Sequence, residues 1–390
     1  RARARARTHA RARARTCARL LAGVLGWAVM SRVLLGLWCC ALLAQAAPTW
    51  QDRQELLHLR LAAAPAAAGS AAERGSLAGR YDRNFAGDMH LGALPAEVVI
   101  TPRPEDYLMD DDLPETWDWR SVTLAPGLPP ASFASRVRNQ FLPKQCGSCW
   151  AHSATAVLGA RWRIHLAKEI DFSVQYLVNC AKDGGPDDNS SKGCYGGSAY
   201  GAFAYVLREG AVDSSCLAYV GETQKCDALG TCQQHLGWLT PVKPATPVRY
   251  FTSEFGHVKG ELAVRKEIFA RGPISCCMAT TDAFHNYTGG VFSSPANNTF
   301  CMHLVTVLGF AGEANQAHWI VQNSFGTVWG EDGHFRIKRA SALQDGEHNL
   351  GIESFCAWTM PASHQQHSHH EGDAPGPASS EGSSETSMIV

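Results

Sequence analysis

Asn139-Gln-Phe-Leu-Pro-Lys-Gln-Cys-Gly-Ser-Cys-Trp-Ala-His152 is the stretch around which the chain is organised. Its second half opens a long segment, Cys149 to Lys168, that has no Pro and one Gly. Trp150, Ala154, Val157, Leu158, Trp162 and Leu166 recur there near helical spacing, which predicts a central helix beginning at Cys149. A helix N-terminus carries about half a positive charge, and a thiol becomes a strong nucleophile once it is ionised. Cys149 is therefore the candidate nucleophile. Cys146-x-x-Cys149 also has the form of a redox pair or half a zinc site, but the chain holds no second Cys-x-x-Cys to complete one. No metal or cofactor is expected.

A thiol nucleophile needs a base, an orienting group for the base, and donors for the oxyanion. Further along, Val174–Cys180 and Tyr200–Glu209 read as helix, and Asp183–Gly197 reads as loop. In the second half the period changes. Leu304–Phe310, His318–Gln322 and His334–Ile337 are short β-rich runs separated by Gly and Asn turns. A helical first half and a stranded second half predict an α+β fold with a cleft where the two meet. His303 heads one of the strands, and Asn323 ends the next, where a hairpin brings it beside His303. Imidazole takes the thiol proton and returns it to the leaving amine, and Asn323 orients the ring. Gln140 offers a side-chain NH2 to the oxyanion, with the backbone N–H of Cys149 as second donor.

These residues sit among further motifs: Asp112-Leu-Pro-Glu-Thr-Trp-Asp-Trp-Arg120, Ser173-Val-Gln175, Gly272-Pro-Ile-Ser-Cys276, Asn286-Tyr-Thr-Gly-Gly290, Asn323-Ser-Phe-Gly-Thr-Val-Trp-Gly330 and Ile352-Glu353. From about Pro102 to Cys356 their order resembles that of the papain family of cysteine peptidases, whose nucleophile signature Cys-Gly-Ser-Cys-Trp is itself well known. Within it the chain is most similar to the cathepsin Z (cathepsin X) branch. The resemblance implies a two-lobe fold, with a helical N-terminal lobe, a β-barrel-like C-terminal lobe and the cleft between them. It implies peptide and protein substrates, and carboxypeptidase action that removes one C-terminal residue at a time. It also implies that Phe141, Leu142, Pro143, Gly196, Gly197, Phe325 and Trp329 line the substrate site.

Two positions depart from that branch. A loop is inserted between the oxyanion Gln and the nucleophile, with Phe141 through Cys146 between Gln140 and Gly147. The branch has His-Ile-Pro where this chain has Phe141-Leu-Pro143, and its His is thought to hold the substrate's C-terminal carboxylate. Phe carries neither charge nor donor, and Lys144 is the nearby substitute. The second departure is Phe325, where the family has the Trp that shields the His–Asn hydrogen bond. These departures favour an alternative reading: an endopeptidase-leaning or weakly active protein with a binding or scaffolding role. The resemblance further implies the bridges Cys146–Cys194, Cys180–Cys226, Cys216–Cys232 and Cys276–Cys356. Cys277 and Cys301 are left over, and parity pairs them. The pro-segment Cys that caps the nucleophile in the family is absent here, as is its Arg-Gly-Asp.

The 390 residues hold 35 Lys and Arg against 36 Asp and Glu, a balance that argues for neither a nucleic-acid nor a polyanion partner. Fourteen cysteines suggest an oxidising compartment. Residues 1–29 carry an Arg-Ala repeat and are expected to be a non-native upstream extension. Residues 30–46 read as a signal peptide, with Arg32, an apolar Val33–Leu43 core and Ala44-Gln-Ala46 as the cleavage site. Residues 47–112 read as a pro-segment whose end, Thr101 to Asp112, is an extended linker. Residues 113–360 form the peptidase domain, and 361–390 are a polar tail expected to be disordered. Asn189, Asn286 and Asn297 head glycosylation sequons. The expectation is a monomer without a membrane span, in the secretory pathway and destined for the lysosome or the exterior.

Overall fold

A computed structural model describes residues 96–123, 128–181, 193–234, 242–362 and 366–367. The segments 1–29, 30–46 and 47–95, Asn189, and nearly all of the tail lie outside the described residues. The helices are α1 (Pro104–Tyr107), α2 (Cys149–Leu166), α3 (Val174–Cys180), α4 (Ala199–Glu209), α5 (Ala228–Thr231), α6 (Glu261–Arg271) and α7 (Asp282–His285). The strands are β1 (Trp117–Asp118), β2 (Gln233–Gln234), β3 (Lys243–Pro244), β4 (Val248–Arg249), β5 (Thr252–Val258), β6 (Ile274–Met278), β7 (Val291–Phe292), β8 (His303–Ala311), β9 (His318–Gln322), β10 (His334–Lys338), β11 (Cys356–Pro361) and β12 (Gln366–His367). The fold is α+β, as predicted.

The predicted central helix is α2. Every residue from Cys149 to Trp162 is buried, so it is a helix apolar almost all round, which is stable only inside a core. Ser173 caps α3 by accepting from the Tyr176 N–H, and Ser198 caps α4 by accepting from the Gly201 N–H. The main sheet runs β5-β11-β6-β8-β9-β10-β7, with β1 pairing onto β8. Eight of the nine residues of β8 are buried, which explains why this strand reads as a continuous apolar run and not an alternation. The hairpin β8–β9 pairs Thr306 with Gln322, so the head of β8 and the end of β9 lie side by side. Ser153 of α2 donates to Ser275 Oγ on β6 at 2.7 Å, and its hydroxyl lies 3.1 Å from Thr306 Oγ1 on β8.

Two expectations are corrected. The second half is not simply stranded, because α6 interrupts it. Its apolar pattern is short, Val264 and Ile268, and the rest of its buried side is charged: Lys266, Glu267 and Arg271. Charges read as solvent-facing in a sequence, so the periodicity is hidden. Second, Thr101–Asp112 is not an extended linker. It contains α1 and a 3-10 turn, Asp110–Asp112. The aspartates that suggested a linker are caps: Asp106 accepts from the Arg103 N–H at 3.0 Å, and Asp112 from the Met109 N–H at 2.7 Å. The segment is fastened to the domain. Glu254 accepts from the N–H groups of Ile100 and Thr101, and Lys266 pairs with Asp110 at 3.0 Å. Part of the predicted pro-segment, 96–112, thus packs on the domain.

Arg161, fully buried in α2, joins helix to sheet. Its guanidinium donates to the carbonyls of Gly272, Pro273 and Thr359 and to Glu267 Oε1 at 2.8 Å. Glu267 is shared with Arg271. Removing Arg161 leaves Glu267 to Arg271 alone and takes the guanidinium donor from three buried carbonyls, a loss comparable to the about 3–5 kcal/mol of a broken buried ion pair. Arg161→Met is expected to lower unfolding free energy by about that amount in urea titrations; a loss below about 1 kcal/mol would contradict the role given to it.

Candidate active site

The sequence places Cys149 and His303 far apart; the fold brings them together where α2 begins and β8 begins. Ser148 precedes the first turn of α2, and Cys149 is the only free cysteine among the described residues. Cys149 shares a buried cluster with Leu304, the residue after His303. His303 Nε2 is 2.8 Å from Asn323 Oδ1. Asn323 Oδ1 also accepts the Ser324 N–H at 2.8 Å, which fixes the amide with its oxygen toward the ring. Nε2 is then the donor, and Nδ1 is left as the acceptor for a thiol proton. Asn323 Nδ2 and Gln322 Oε1 are buried without a protein partner among the described residues, and both residues line a small polar cavity behind the His–Asn pair.

Gln140 is held from three sides. Its N–H donates to Ser324 O at 2.8 Å, its Oε1 accepts from Ser324 Oγ at 2.6 Å, and Tyr219 donates to its carbonyl at 2.8 Å. Its Nε2 donates to Cys146 O at 3.0 Å, which uses one of the two amide hydrogens and leaves the other for an oxyanion. Ser324 and Tyr219 were not singled out in the sequence. Ser324 lies inside a quoted motif, while Tyr219 carries no local signal at all. Gly147 donates its N–H to Cys194 O at 2.7 Å, and an added Cβ would meet that same oxygen at 2.7 Å. The turn into the nucleophile therefore requires Gly. Gly197 lies against Trp150, where a Cβ would sit 2.6 Å from the ring, and Gly196 borders open space with φ of 123°.

Burial decides the electrostatics. It pushes the Cys149 thiol up, with the N–H groups of Leu304, Trp150 and Cys149 itself pulling the other way. Burial also drives His303 down to about 4, against the bond from Asn323 and helped by the charge of His285.

The two departures from the family pattern touch each other. Phe325 lies over His303 with ring centroids 5.0 Å apart, and Phe141 of the inserted loop packs on Phe325 at 5.1 Å. Trp329 meets Phe325 edge-on at 5.4 Å. Leu142 is exposed, and the Leu142–Pro143 bond is cis. Lys144, the substitute offered for the loop His, is paired with Glu222 at the surface. The bridges are Cys146–Cys194, Cys180–Cys226, Cys216–Cys232, Cys276–Cys356 and Cys277–Cys301. Asn286 and Asn297 are exposed. No group of three or more candidate metal ligands occurs among the described residues.

Residues 113–359 match the papain family cysteine protease family. The chain belongs to that family. It is 32% identical to Cathepsin Z of Onchocerca volvulus over 258 residues, which cover 64% of this chain and 79% of that protein. It is 28% identical to Cathepsin S of Mus musculus over 248 residues, which cover 63% of each. The solved structure of the Carica candamarcensis cysteine protease CMS1MS2 in complex with E-64 aligns with 64% of this chain and 99% of its own, at 28% identity and a TM-score of 0.49. The papain-family chain is accordingly a cysteine peptidase. No described helix is long and apolar enough to cross a membrane.

Two buried histidines link its stability to acid. Burial lowers His303 to about 4 and His152, in the first turn of α2, to about 3. Both lie below the unfolded value of about 6.5, so the unfolded chain binds more protons as the pH falls. The neutral rings' contribution is whole above about pH 6.5 and is lost on acidification, by about 3 kcal/mol for each ring near pH 4. Urea midpoints are expected to fall from pH 7 to pH 4.5, and His152→Asn, which cannot titrate, should flatten that slope. An unchanged slope would contradict the neutral state of His152.

Proposed function

We propose that this cysteine peptidase is a carboxypeptidase that removes single residues from the C-terminus of peptides and proteins. Cys149 is the nucleophile, His303 the base and then the acid, and Asn323 the group that orients the ring. Nδ1 of His303 takes the thiol proton as sulfur attacks the scissile carbonyl. The oxyanion is received by the Cys149 N–H and by the second amide hydrogen of Gln140. As the tetrahedral intermediate collapses, the C–N bond breaks and the imidazolium protonates the leaving amine. Water, activated by the same imidazole, then hydrolyses the acyl-enzyme.

The observation that carries the exopeptidase reading is the insertion between Gln140 and Gly147. It places Phe141 on Phe325, the ring that covers His303, and we read this as the leaving-group side of the cleft. Bulk at that place shortens the leaving-group side of the cleft. A second reading, an endopeptidase-leaning or weakly active protein with a binding role, is favoured by Phe141 and Phe325, which lack the family's imidazole and indole N–H. The five disulfides support a route through the secretory pathway to the lysosome or exterior.

A thiol-directed epoxide probe is expected to label Cys149 in the activated protein and to fail on Cys149→Ala; absence of label on the former would remove the enzyme reading. One peptide with a free and an amidated C-terminus, followed by mass spectrometry, tests the exopeptidase. Single-residue losses from the free acid are expected, and cuts inside the peptide at equal rates on both forms would defeat it.

A further inference from the structure

We propose that His285, and not the inserted loop, receives the C-terminal carboxylate of the substrate. This rests on the carboxypeptidase reading above. The leaving residue departs past the imidazole that protonates it, so its carboxylate lies beyond His303 and the ring that covers His303. That ring is Phe325. Two side chains from outside its own segment lie against it at the rim: Phe141 at 5.1 Å, and His285 at 6.0 Å, stacked within 15° of parallel. Phe141 has no donor. A protonated imidazole has two.

His285 is exposed and ends α7. Its backbone is fixed at both polar atoms: the N–H donates to Thr281 O at 3.0 Å, and the carbonyl accepts from Trp329 Nε1 at 2.9 Å. The ring is thus presented from a held backbone and leans on an aromatic floor. Nearby cations are already committed, Lys144 to Glu222 and Arg336 to Glu331 at 2.6 Å. His285 takes part in none of the ion pairs formed among the described residues.

The position has an electrostatic consequence. A positive charge on His285 reaches His303 and disfavours a proton there. A carboxylate bound to His285 cancels that charge, so His303 accepts the thiol proton more readily. A free C-terminus then both anchors the substrate and favours the reactive thiolate, and an amidated one does neither.

The test is the ratio of kcat/KM for one peptide as free acid and as amide. It is measured on the full, activated chain at about pH 5, below the usual imidazole range, with active sites counted by the epoxide probe. The original chain, His285→Gln and His285→Lys are compared. The expected ratio is well above tenfold for the original, about ten- to hundredfold lower for Gln, and largely kept by Lys. A ratio near one in the original overturns the carboxypeptidase reading and this proposal with it. A high ratio that survives in His285→Gln overturns the assignment of His285 alone. A ratio that Lys loses as fully as Gln rejects charge as the basis of the grip.

Discussion

The guanidinium of Arg161 fastens the helix that begins at Cys149 to the body of the sheet. It lies three turns along α2 from Cys149, about 18 Å at helical rise, and ties the helix to Gly272, Pro273, Thr359 and Glu267. Burial lowers its proton affinity to about 10, and the opposing charge of Glu267 keeps it ionised. A buried charge tolerates little displacement, because each lost partner leaves a desolvated group behind. The helix is therefore pinned to the sheet at one end, and its other end presents the thiol at the head of β8. Ser153, bonded to β6 and close to β8, secures the middle.

Around the thiol, polar contacts connect functions that are usually described separately. Ser324 joins Gln140 to the His303–Asn323 pair: its hydroxyl and carbonyl hold Gln140, and its N–H holds Asn323 Oδ1. A displacement of this turn moves both groups. The same enclosure works against charge: burial pushes the Cys149 thiol up and drives His303 down, disfavouring the charged form of each.

Phe141 and Phe325 are best understood as one feature. Taken singly, each removes a polar atom from the leaving-group side of the cleft. In contact, they form a continuous apolar floor from the loop to His303, flanked by His285 and Trp329. That floor covers His303 by area alone.

The sequence by itself determined the helix that starts at Cys149, the strand headed by His303, Asn323 at the end of the next strand, and the even number of cysteines beyond the nucleophile. Local composition carries these, because an apolar helix, an apolar strand and a turn each have their own period. Helix α6 was illegible because its buried face uses Lys266, Glu267 and Arg271, which a sequence reading assigns to solvent; the segment before Leu113 was illegible because its turns are short and its Asp106 and Asp112 read as linker residues, not caps. The partner of Lys144, the contact between Phe141 and Phe325, and the place of His285 were decided only by tertiary structure. Each depends on which side chains from distant segments arrive at the same few ångströms of cleft, and no local pattern records that. The desolvation felt by Cys149 and His303 has the same origin: it comes from the packing of α2 on β8, which no local pattern records.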